Sequence, residues 1–114
     1  MHELGIVQSI LEIVEQQAEL NSAKKVLRVE LEFGALTAVM PEAIEFAFEA
    51  LTKDGLAQGA DLKITILPIK AICMDCGRES LLESYAPFCP SCSTGILNIV
   101  QGKDEMRIVS IEIE

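Results

Sequence analysis

Residues 72–95 read ICMDCGRESLLESYAPFCPSCSTG, and this stretch contains all four cysteines of the chain. The cysteines form two C-x-x-C pairs, Cys73 with Cys76 and Cys89 with Cys92, and twelve residues separate the pairs. Each pair can bind one side of a metal ion, and two pairs together complete a tetrahedron of thiolates. The spacing therefore predicts a metal site with four cysteine ligands.

The ligand type narrows the metal to zinc or iron, because both accept tetrahedral sulfur ligands. Four thiolates leave no open position for a substrate, so a zinc ion here would be structural rather than catalytic. A rubredoxin-like iron site also uses two C-x-x-C turns, and a small electron carrier stays open as an alternative. Two disulfides are disfavoured, since we expect a reducing compartment for this chain.

The residues on both sides of the cysteines predict helices and longer strands. Apolar residues at helical spacing predict helices over 4–20 and from Pro41 to Leu51. Alternating apolar residues predict strands over 27–33, 61–67 and 107–114. The expected buried positions are Leu4, Val7, Leu11, Val14 and Ala18 in the first helix, Leu27, Val29, Leu31 and Phe33 in the first strand, and Ile44, Ala47, Phe48 and Leu51 in the second helix.

This order predicts an α+β fold in which helices and strands alternate as in α/β proteins. We expect the last strand to rejoin the first two in a small three-stranded mixed sheet, with both helices packed on it. The cysteine segment is then a zinc-ribbon-like domain inserted into the chain. The predicted domains are 1–68 with 102–114, and 69–101.

Composition excludes several functional classes. The net charge is −9, from 18 acidic and 9 basic residues, and a nucleic-acid-binding protein needs a basic face instead. No apolar run approaches the ~20 residues of a membrane helix, and the start lacks the basic residues of a signal peptide, so we expect a cytoplasmic protein. The chain has one histidine, no glycine-rich phosphate loop and no nucleophile–base pair, which argues against an enzyme.

The amino end, Met1-His2-Glu3, contains the only histidine. A terminal amine, the amide nitrogen of His2 and its imidazole can lie in one plane around a metal ion, and planar nitrogen ligands favour Ni(II) or Cu(II). Glu3 could complete the square with its amide or its carboxylate. From the residues alone, His2 could equally be a solvated surface residue, and Glu3 could merely favour the start of a helix through the helix dipole.

Three segments together resemble one protein family. They are MHELGIVQSILEIV at 1–14, FGALTAVMPEAIEFAFEAL at 33–51, and the two cysteine pairs. They are similar to HypA (also HybF), the nickel-insertion accessory proteins of [NiFe]-hydrogenase maturation. The resemblance extends essentially from residue 1 to the last strand.

The resemblance implies a set of ligands and partners. Met1, His2 and Glu3 would bind Ni(II) transiently, and the four cysteines would bind structural zinc. The partners would be the GTPase HypB, the hydrogenase large subunit and, in some organisms, urease maturation proteins. Certain relatives have a further histidine near the nickel; this chain has none, so the fourth nickel ligand is open. The competing interpretation is a zinc-ribbon interaction module without a nickel role.

Overall fold

The computed structural model describes residues 3–114, which form two helices, a short 3₁₀ helix and six strands. In chain order the elements are α1 (Glu3–Leu20), β1 (Val26–Gly34), the 3₁₀ helix (Ala35–Thr37), α2 (Pro41–Leu51), β2 (Asp61–Leu67), β3 (Ile69–Cys73), β4 (Glu79–Leu82), β5 (Leu97–Gln101) and β6 (Met106–Ile113). None of the helices described is long and apolar enough to cross a membrane.

The strands form two three-stranded sheets, with orders β2-β1-β6 and β4-β3-β5. The first sheet confirms the prediction that the last strand rejoins the first two. The second sheet lies in the cysteine segment, where β3 pairs antiparallel with both β4 and β5. The three strands of this second sheet were not predicted individually. Together with the helices, the sheets confirm the predicted α+β class.

The chain divides into two compact units. The first contains the described residues up to Leu31 together with Val39–Thr65 and Arg107–Glu114; the second contains Glu32–Ala38 and Ile66–Met106. Compact packing does not test independent folding, so the predicted domains 1–68 with 102–114, and 69–101, stay a prediction.

Helix α1 buries one face, as its periodicity predicts, but the face begins at a different residue. Val7, Leu11, Val14 and Ala18 are buried. The prediction for Leu4 was wrong, because its side chain is 54% exposed and that of Glu3 is buried in its place. The first turn of α1 therefore turns a carboxylate inward.

Two further core predictions were wrong by one position each. In β1, Val29, Leu31 and Phe33 are buried as predicted, whereas Leu27 is exposed and Val26 is buried. In α2, Ile44, Ala47 and Phe48 are buried as predicted, whereas Leu51 is exposed and Thr52 is buried. The Thr52 hydroxyl tolerates burial because it donates a hydrogen bond to the Phe48 carbonyl at 2.7 Å.

Candidate metal centre

The four cysteine side chains converge on one point in the second unit. All four Sγ atoms lie within 4.8 Å of one another. The Sγ atoms of Cys73 and Cys92 are 3.7 Å apart, and those of Cys76 and Cys89 are 3.8 Å apart. A tetrahedron with metal–sulfur bonds of about 2.3 Å has edges of about 3.8 Å, so these spacings fit a tetrathiolate metal ion. All four cysteines are free rather than disulfide-bonded.

The two C-x-x-C turns have the same backbone geometry. In the first, the Gly77 amide donates to the Cys73 carbonyl at 3.0 Å; in the second, the Ser93 amide donates to the Cys89 carbonyl at 2.9 Å. Both turns end on a left-handed residue, Gly77 at φ 73° and Ser93 at φ 67°. The first turn has a glycine in this conformation, which glycine adopts easily. The second turn has Ser93 there instead, so its backbone is strained.

Backbone amides point at the sulfur atoms in both turns. Cys73 Sγ accepts hydrogen bonds from the amides of Asp75 and Cys76 at 3.4 and 3.3 Å. In the second turn, the Ser91 amide donates to Cys89 Sγ at 3.4 Å. Such donors stabilise a thiolate relative to a thiol, which is the form that binds metal.

The thiol pKa values differ among the cysteines. Backbone N–H groups of Thr94 and Gly95 lower the pKa of Cys92 to about 6. The backbone N–H groups of Cys92 and Ser91 likewise lower the pKa of Cys89. At Cys76 the Arg78 amide lowers the pKa, but hydrogen bonding to the other thiols and burial outweigh it, and the pKa rises to about 11. The metal-free cluster therefore ionises first at the second turn.

Gly95 is part of this centre, although its role was not predicted from the sequence. A Cβ atom at residue 95 would overlap Cys73 Sγ and lie 3.2 Å from both Asp75 Cβ and Cys92 Sγ. The Gly95 amide donates to Cys92 Sγ at 3.3 Å, and its carbonyl accepts from the Cys89 amide at 2.8 Å. The only signal in the sequence is a glycine shortly after the second pair, which by itself indicates a turn.

The predicted nickel ligands are only partly described. Met1 and His2 lie outside the described residues. Glu3 is the first residue of α1, its side chain is 8% exposed, and its Oε2 accepts a hydrogen bond from the Met40 amide at 3.5 Å. Met40 is the N-cap residue of α2, so the Glu3 carboxylate lies at the positive end of that helix.

Comparison with known proteins gives matches over the whole chain. The sequence model of the family described as HypA, hydrogenase/urease nickel incorporation metallochaperone, matches residues 1–113. The hydrogenase maturation factors HybF of Proteus vulgaris and HypA of Geobacter metallireducens are each 42% identical over 114 residues, covering 100% of both chains.

Two solved structures match as well. The solution structure of the Ni metallochaperone HypA from Helicobacter pylori has a TM-score of 0.66 at 29% identity and covers 99% of this chain and 97% of that one. A second HypA solution structure has a TM-score of 0.72 at 28% identity, covering 100% and 97%. Because sequence and fold both match over essentially the full length, the chain belongs to the HypA family of metallochaperones, which are not enzymes.

Proposed function

We propose that this protein carries Ni(II) on Met1, His2 and Glu3 and delivers it to the large subunit of a [NiFe]-hydrogenase. One observation supports this above all others: the nickel-incorporation family matches the chain from residue 1, so the match includes the Met-His-Glu start. The proposal requires that Met1 carry a free amine. The ion is cargo, bound and released, rather than a resident cofactor.

Glu3 is better suited to bind nickel through its backbone nitrogen than through its side chain. The carboxylate is buried and already accepts the hydrogen bond from Met40. The Glu3 amide, by contrast, is at the first position of α1, where an N–H group has no acceptor within the helix. The Met1 amine and the amide and imidazole of His2 would supply three nitrogen ligands of the kind that Ni(II) prefers, and the Glu3 amide is the group of that residue that could approach the ion.

This ligand set makes nickel binding depend on pH. The amine and the imidazole must both be unprotonated to bind the metal, so affinity falls as pH drops through their titration range. Cu(II) binds such a site more tightly than Ni(II) does in isolation. Selectivity for nickel in the cell must therefore come from partners and metal supply.

The four cysteines are proposed to hold zinc as a structural ion. The Sγ spacings fit zinc and iron equally well, but the nearby aromatic residues argue against a rubredoxin-like centre. Tyr85 and Phe88 are 63% and 56% exposed, so they do not enclose the sulfur atoms as aromatic residues do in rubredoxins. Metal analysis separates the two: colourless protein with one zinc per chain is expected, and a red protein with stoichiometric iron would contradict the assignment.

The proposed partners are the GTPase HypB and the immature hydrogenase large subunit, with urease maturation proteins as further clients where urease is present. We place the protein in the cytoplasm, where these partners are assembled. The support for both statements is family membership.

Calorimetric titration with Ni(II) tests the terminal site. His2→Ala removes the imidazole and should abolish tight binding, whereas Glu3→Gln keeps the amide nitrogen and should leave the number of nitrogen ligands unchanged. The ultraviolet–visible spectrum of the complex should show the band of planar nitrogen ligation. Equal nickel affinity in the wild type and His2→Ala would refute the site.

The competing function is a zinc-ribbon interaction module whose amino end is inert. One added residue before Met1 distinguishes the two, because it displaces the amine from the chelate and leaves the four cysteines intact. Hydrogenase maturation in cells should fall sharply with this variant. Full maturation would favour the interaction module.

A further inference from the structure

A groove with a volume of about 730 Å³ lies between α2 and the start of β2, within the first unit. Its lining includes Phe46 and the carboxylates of Glu45, Glu49 and Asp61. No residue of this groove belongs to either proposed metal site. Its shape and chemistry are therefore independent of nickel and zinc.

Phe46 is the apolar centre of the groove. Its side chain is 76% exposed, the highest value among the large apolar residues that the structure describes. A single exposed apolar side chain is common on protein surfaces and has no meaning alone. Its significance depends on the groups around it.

Those groups are mostly acidic. Glu45 and Glu49 are four residues apart on one helix face, an arrangement of like charges that destabilises a helix. In the described part of the chain, Glu45, Glu49 and Asp61 make no ion pair. Lys53 is the one basic residue in the lining. The three carboxylates outnumber this one cation, so the groove has a net negative charge beside an exposed aromatic ring.

The backbone next to the groove is also available. Strand β2 is at the edge of its sheet and, among the described residues, pairs with β1 alone. An edge strand leaves a row of N–H and C=O groups that can pair with an added extended segment. Edge pairing supplies affinity through the main chain, and pockets beside it select alternate side chains.

We propose that this groove binds an extended, basic segment of a partner protein, which adds to β2 as a further strand. Side chains at every second position of the segment would point the same way, so apolar and basic residues that share the face toward the groove would contact Phe46 and the carboxylates of Glu45, Glu49 and Asp61 in turn. The acidic rim favours a basic partner and disfavours a second copy of this chain, whose net charge is −9.

The opposite edge of the same sheet provides an internal comparison. Strand β6 is the other edge, and the shallow cavity beside it measures about 370 Å³. That cavity is lined by apolar and neutral polar residues, such as Ile13, Gln17 and Val109, and by no charged residue. It therefore lacks the charge that would select a basic segment.

The proposal can be tested with ¹⁵N-labelled full-length protein and a capped octapeptide that has threonine at every second position and lysine and valine in turn between them (the lysine–valine peptide), so that lysine and valine share one face of the strand. Amide chemical shifts should change at α2 and at residues 58–63. The same peptide with glutamate in place of lysine should not bind, and affinity for the lysine–valine peptide should fall as ionic strength rises. The same peptide with proline at its two central positions should bind more weakly, because adjacent prolines remove an N–H group from each edge of the strand.

Two variants locate the interaction on the groove. Phe46→Ala should weaken binding of the lysine–valine peptide about tenfold, and the pair Glu45→Gln with Glu49→Gln should weaken it and flatten its salt dependence. Leu20→Ala is the matched apolar control, since Leu20 is 72% exposed on α1. Each variant's fold is checked by its thermal unfolding.

Glu15→Gln with Glu19→Gln is the matched charge control, because this pair has the same four-residue spacing on the exposed side of α1. Shift changes at β6, changes spread evenly over the acidic surface, or unchanged affinity in Phe46→Ala would each overturn the proposal. Nickel affinity should be the same in Phe46→Ala and the wild type, so failure of the groove and failure of the nickel site are distinguishable.

Discussion

Replacing Gly95 with alanine adds only one methyl group but should disrupt the metal centre. The added Cβ would overlap Cys73 Sγ and lie 3.2 Å from Asp75 Cβ and Cys92 Sγ. Non-bonded heavy atoms prefer about 3.5–4.0 Å, so all three contacts are too short. Gly95 is not in the left-handed region, so alanine introduces a steric conflict without backbone strain.

The size of the effect follows from what must move. The nearest neighbour is a ligand atom, and metal–ligand distances tolerate shifts of only about 0.2 Å. Overpacking a close-packed site costs about 1–3 kcal/mol. If this cost appears in metal binding, zinc affinity falls about 5- to 150-fold. If Gly95 only allowed the chain to turn, its replacement by alanine would not lower zinc affinity.

Competition for zinc against a chromophoric chelator measures this change. Gly5→Ala is the matched control, because nothing lies within 4 Å of a Cβ at residue 5. Its zinc affinity should equal that of the wild type. If Gly95→Ala also bound zinc with wild-type affinity, the close approach of residue 95 to the sulfur atoms would be refuted.

Two further substitutions and one labelling experiment have expected outcomes. Gly102→Ala should destabilise the protein by about 2 kcal/mol or more in urea unfolding, because Gly102 has φ 86° and a Cβ there would lie 2.5 Å from the Pro68 carbonyl oxygen. A loss below about 0.5 kcal/mol, the size typical of a surface substitution, would contradict this. Gly5→Ala should stabilise α1 by about 0.5 kcal/mol in the same assay, since alanine lowers the entropic cost of helix formation, and a loss of stability would contradict it. In metal-free, reduced protein, iodoacetamide should modify Cys92 before Cys76 at pH 7, because a pKa of about 6 makes Cys92 mostly thiolate whereas a pKa of about 11 keeps Cys76 as the thiol. The Cys92 rate should be about half its maximum near pH 6 and fall further at lower pH. Mass spectrometry of peptides gives both rates, and faster modification of Cys76 would contradict the prediction.

The sequence predicted best where one periodic pattern extends over many residues. The alternation in β1 identified three buried positions, and the stripe on α1 identified four. The cysteine spacing likewise predicted that these four sulfur atoms lie close together. In each case, a single local geometry repeats often enough that one misplaced residue does not change the prediction.

Prediction was weakest where contacts distant in sequence decide the structure. Strands β3, β4 and β5 have only four or five residues each, too few for a clear alternation. Their register depends on the cysteine turns, since Cys73 ends β3 and pairs with Leu97 of β5. The close approach of Gly95 to Cys73 is a tertiary contact of the same kind and leaves no periodic signal.

Glu3 shows why local periodicity cannot decide every position. At about 100° per residue, Glu3 and Leu4 lie equally far from the centre of the buried stripe of α1, about 50° to one side and about 50° to the other. Hydrophobicity alone favours Leu4, yet Leu4 is exposed and Glu3 is buried. The Met40 amide, 37 residues away, supplies a hydrogen-bond donor at the start of α2 and makes burial of the carboxylate acceptable. The same contact holds the Glu3 side chain against α2, which under the proposed function leaves its backbone nitrogen as the group available to nickel.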